Sequence, residues 1–60
     1  MTATLVRVTG PGFVAGVLVT NGVITDTAPI LKRFRGMPLG KLRGVADWYG
    51  WVVEVLGEPS

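Results

Sequence analysis

Cysteine and histidine are both missing from this 60-residue sequence, and its one serine is the last residue, Ser60. Disulfide bridges and the usual zinc sites are therefore excluded. So are the nucleophile and base pairings that need cysteine, histidine or an internal serine, which makes a non-enzymatic protein the expectation. The four carboxylates, Asp26, Asp47, Glu54 and Glu58, are scattered without calcium-loop spacing, and no metal or other cofactor is expected. Gly10-Pro11-Gly12 is rich in glycine, but no helix start and no lysine-threonine pair follows it, so it reads as a turn and not as a phosphate cradle. Long apolar runs are lacking too: the longest, Phe13 to Val19, is interrupted by Gly16 and falls far short of the roughly 20 residues that span a bilayer. With no basic region ahead of an apolar segment at the start of the chain, a cytoplasmic location without membrane attachment is expected.

What is present is unevenly distributed. Five of the six basic residues, Lys32, Arg33, Arg35, Lys41 and Arg43, fall within twelve positions that hold no carboxylate. A local charge of +5 on a chain of net +2 makes a one-sided positive potential that attracts phosphates or acidic protein surfaces. It also fits a merely solvated face. Hydrophobic residues make up 48% of the chain, yet a domain this small buries only about 60% of its unfolded surface, so part of that apolar content stays outside a monomer's core. A homodimer or larger assembly is expected.

The periodicity predicts a single small α+β domain over residues 1–60, ordered β-β-β-α-β, with 57–60 as a frayed tail. Thr4 to Thr9 is rich in β-branched residues and reads as a first strand, closed by the turn at Gly10-Pro11-Gly12. Phe13 to Thr20 and Val23 to Thr27 flank Asn21-Gly22, the dipeptide best suited to a type I′ hairpin turn. Two-residue turn geometry sets Val19 opposite Ile24 and Val17 opposite Asp26, and puts Phe13, Ala15, Val17, Val19 and Ile24 on a core-facing side. The other side carries Val14, Leu18, Thr20, Val23 and Thr25 and is apolar enough to be a self-association surface, with Val14, Leu18 and Val23 as its candidate residues.

Pro29 is placed to open a short helical turn with Ile30 and Phe34 inward, ended by Gly36. Leu39, Leu42, Ala46 and Tyr49 then recur at helical spacing, predicting one amphipathic helix from about Pro38 to Tyr49 that stops at Gly50. Gly40 and Gly44 lie inside it at a cost of about 1 kcal/mol each, which suggests close packing of helix on sheet. Trp51 to Leu56 reads as the last strand, with Trp51, Val53 and Val55 on its inner side. An antiparallel meander packed against the helix, with the last strand beside the first and parallel to it, gives the spatial order 3-2-1-4 and leaves strands three and four as open edges.

Among the aromatics, Tyr49 and Trp51 are expected in the core. Trp48 falls on another flank of the helix, near Lys41 and Gly44, where it either packs under the loop from Lys32 to Met37 or stands exposed. Exposed tryptophan and arginine are frequent binding hot spots. Lys32, Arg33, Arg35, Lys41, Arg43 and Trp48 are therefore the candidate partner-binding residues. An acidic protein is the first-choice partner, and nucleic acid held by the Lys32 to Arg43 segment is the alternative, although no nucleic-acid-binding signature is visible.

Phe13-Val14-Ala15-Gly16-Val17 leading to Asn21-Gly22, then Thr27-Ala28-Pro29-Ile30-Leu31, Gly36-Met37-Pro38-Leu39 and Gly50-Trp51, together resemble the short accessory proteins encoded by actinobacterial phages and prophages. The similarity spans roughly residues 13 to 53 and rests on residues that determine a fold. What it implies is a small accessory product in the cytoplasm of a bacterial host, of the kind that binds and modulates a host or phage protein or assembles with itself. No functional residue carries over from it.

Overall fold

The computed structural model describes residues 3–57. Its elements are β1 (Thr4–Gly10), β2 (Phe13–Thr20), β3 (Val23–Thr27), a 3₁₀ helix (Pro29–Phe34), α1 (Leu39–Tyr49) and β4 (Val52–Gly57). The four strands form one sheet in the order β3-β2-β1-β4, so the α+β meander and the pairing of last strand with first are as the sequence suggests. Gly57 closes β4 opposite Leu5, which puts it in the sheet, and the rest of the expected tail, 58–60, lies outside the described residues.

The direction of β4 differs from expectation: it runs antiparallel to β1, with Val8 opposite Val53 and Arg7 opposite Glu54. The reason is a second traverse of the sheet. After β3 the chain descends again, through the 3₁₀ helix and the segment 36–39. There the Gly36 N–H donates to the Ile24 carbonyl (2.7 Å), the Ile24 N–H to the Met37 carbonyl (2.8 Å) and the Leu39 N–H to the Gly22 carbonyl (2.8 Å). α1 therefore starts beside Gly22 and climbs the sheet over about 16 Å, given 1.5 Å per residue. It delivers β4 at the end where β1 finishes. On β3 these hydrogen bonds reach Ile24, with Gly22 just before it, so of the two edges expected to be open, that of β3 is closed over its first residues and that of β4 carries no outer strand among the described residues.

The hairpin turn is as the dipeptide demands, with Asn21 at φ 53° and Gly22 at φ 77°. Val19 does face Ile24, but Thr25 is inserted as a bulge, which sets Leu18 against Asp26 and Val17 against Thr27. The Thr25 hydroxyl donates to the Leu18 carbonyl at 3.2 Å, giving the extra residue a partner. A bulge of this kind has no composition signal in a run such as Val-Ile-Thr-Asp-Thr.

The core is a single cluster built from Val6, Val8, Ala15, Val17, Val19 and Ile24 of the sheet, roofed by Leu31, Phe34 and Leu42. Two inward positions of the helical segments differ from the sequence expectation, and Val55, expected on the inner side of the last strand, is exposed as well. In the 3₁₀ segment Leu31 and Phe34 are buried and Ile30 is exposed, because three residues per turn align i with i+3 instead of i+4. Tyr49, at the last turn of α1, is exposed and stacks on Trp51 with ring centroids 5.2 Å apart. Trp51 is half-buried and meets Phe13 edge to face at 5.1 Å.

That aromatic pair explains Gly10. A Cβ there would collide with Cε1 and Cζ of the Phe13 ring and lie 2.9 Å from Trp51 Cδ1, so a side chain fits only if the ring shifts. Gly10→Ala is expected to destabilise the fold by about 1–3 kcal/mol, as overpacking does, read as a lower urea midpoint with unchanged slope.

Candidate functional site

The basic residues arise from two elements. Lys32 and Arg33 sit on the 3₁₀ helix, Arg35 follows it, and Lys41 and Arg43 are on α1; all five are exposed. None takes part in an ion pair among the described residues, where Arg7 with Glu54 (3.0 Å) is the ion pair present. Their charge is thus directed to solvent.

The fold divides the five. Lys41 and Trp48 are seven residues apart on α1 and so lie within about 20° of each other around its axis, while Arg43 is about 140° from Trp48. Arg33 comes up from the 3₁₀ helix, its guanidinium 4.9 Å from the centroid of the Phe34 ring. Arg33 and Lys41 thereby flank one open groove of about 560 Å³ that Met37, Gly40, Gly44 and Trp48 also line. Arg43 faces a separate, smaller hollow with Asp47 and Trp51. Lys32 and Arg35 line neither.

Trp48 is 83% exposed, so it does not pack under the preceding loop. The spacing Gly40, Gly44, Trp48 places two bare positions and one large ring along a single line of the helix. A Cβ built at either glycine meets nothing within 4 Å, which corrects the expectation that they allow the helix to approach the sheet. They face away from it and form the groove floor. The i, i+4, i+8 pattern was present in the sequence as a signal, and with Met37 and Tyr49 it completes a lining that charge alone did not reveal.

The groove is chemically simple. Two cations, a tryptophan, a methionine and exposed helix backbone can hold an apolar segment bearing negative charge. No group of three or more carboxylates among the described residues is arranged to hold a metal ion. No helix among the described residues is long and apolar enough to cross a membrane. The face turned away from α1 carries the candidate self-association residues, with Val14 67% and Val23 39% exposed and Leu18 half-buried. Comparison with protein-family models, curated proteins and solved structures finds no match for this chain.

Proposed function

We propose that this chain is a small non-enzymatic interaction module that self-associates and holds an acidic, partly apolar segment of a host or phage protein in the groove between Arg33, Lys41 and Trp48. One observation carries the reading: a tryptophan left 83% exposed beside a groove whose charged rim is wholly basic. Full burial of a large aromatic in an interface is worth several times a rim contact, and a rim of one sign selects the opposite one. The separation of Arg43 from Arg33 and Lys41 favours this over nucleic acid, because a phosphate chain needs cations along one track.

The test is a titration of the full chain, at two salt concentrations, with an acidic amphipathic peptide and with labelled single- and double-stranded DNA and RNA. The peptide is expected to shift tryptophan emission to the blue, with affinity reduced about tenfold or more in Trp48→Ala and only modestly by salt. Nucleic-acid binding that collapses at the higher salt, unaffected by Trp48→Ala, would replace this reading with the alternative.

A further inference from the structure

The self-association just proposed needs a surface, and among the described residues the outer edge of β4 has no neighbouring strand. We infer that two copies of the chain join through the outer edge of β4, antiparallel and centred on Glu54, into one continuous eight-stranded sheet. The inference rests on the self-association part of the proposed function and names its surface.

Three observations lead there. β3 is hydrogen-bonded on its outer side at Ile24 by the segment 36–39, whereas among the described residues β4 pairs with β1 alone. The edge is lightly protected: Val52-Val53-Glu54-Val55 contains no lysine or proline, the bulge of β4 lies beyond it at Leu56, and Val52 and Val55 are more than half exposed. A row of free backbone N–H and C=O groups accepts another strand and little else, so the occupant is a strand. That the strand is β4 of a second copy follows from the residue pattern. Read from either end, the stretch about Glu54 is Val-Glu-Val. In antiparallel pairing about a two-fold axis at Glu54, each Val53 opposes Val55 of the copy on the helix-bearing face.

Charge fixes the register. Glu54 meets its counterpart on the other face, which alone would be repulsive. Each carboxylate, however, already accepts from Arg7 Nη2 through both oxygens at 3.0 Å, so the axis is crossed by a row of four side chains with no net charge. A slide of one residue turns Val53 to the wrong face. A slide of two sets Glu54 against Val52 or Leu56 and leaves a charge facing an apolar side chain.

The chain has no cysteine, which makes single-cysteine variants clean probes. Directly opposed residues of an antiparallel pair have Cα atoms about 5 Å apart, so a short bis-maleimide is expected to join two copies of Glu54→Cys but not of Val14→Cys. Val55→Lys is expected to weaken dimerisation by about tenfold or more in sedimentation equilibrium while circular dichroism stays native. A dimer that neither links at position 54 nor responds to Val55→Lys would overturn the β4 interface and leave self-association standing. A chain that stays monomeric up to millimolar concentration would overturn both.

Discussion

Leu42→Ala is expected to leave a large fraction of the molecules unfolded at 25 °C. α1 buries only two residues, Leu42 and Ala46, and Leu42 is fully inaccessible among Val, Ile and Phe side chains of the sheet and the 3₁₀ segment. A buried leucine-to-alanine change costs about 2–5 kcal/mol, because the transfer term is lost and a cavity is left. At about 0.05–0.15 kcal/mol per residue, a chain of this length has only about 3–9 kcal/mol to lose. The far-UV signal at 222 nm and the dispersion of amide resonances read the outcome directly. Native spectra with an unchanged urea midpoint would mean that α1 is not held to the sheet by this side chain. Val14→Ala, on the open face, is the matched control and should move stability by less than about 0.5 kcal/mol.

Replacing both groove glycines by alanine is expected to act in the opposite direction on stability. Glycine inside a helix is less favourable than alanine by about 1 kcal/mol, and neither Gly40 nor Gly44 has an atom near the position a methyl group would take. The double variant should therefore gain about 2 kcal/mol and melt roughly 10 °C higher, at about 4–8 °C per kcal/mol for a domain of this size. The same two methyl groups raise the groove floor beneath Trp48, so capture of the acidic peptide should weaken as the fold strengthens. A double variant that is destabilised would show that the glycines serve packing within the chain. One that is stabilised yet binds the peptide as well as before would remove the groove floor from the contact.

The strands were legible because period-two alternation, Asn21-Gly22 and the β-branched runs all point the same way. The helix was legible from Leu39, Leu42 and Ala46. What escaped was set by geometry that single residues do not signal. Ile30 and Leu31 exchange roles according to whether the turn has three or nearly four residues, and both are apolar. Tyr49 continues the apolar stripe numerically but ends beyond the sheet, where it stacks on Trp51 and lines the groove. The direction of β4 depended on whether residues 28–50 cross the sheet once or twice, and the hydrogen bonds that fold 36–39 back along β3 are all backbone. Of the candidate site, Trp48, Arg33 and Lys41 come together and Lys32, Arg35 and Arg43 do not, since a charge run two elements long cannot face one way.

The segment 36–39 that fastens onto β3 also sets how far assembly by strand addition can proceed. A sheet open on both sides gives each molecule two connection points, and chains of such molecules grow into fibres. Here, among the described residues, each molecule offers one full-length open edge, that of β4. In the dimer proposed above, pairing of the two β4 edges would use the free strand of each molecule, and growth by this route would end at a closed pair in place of a filament.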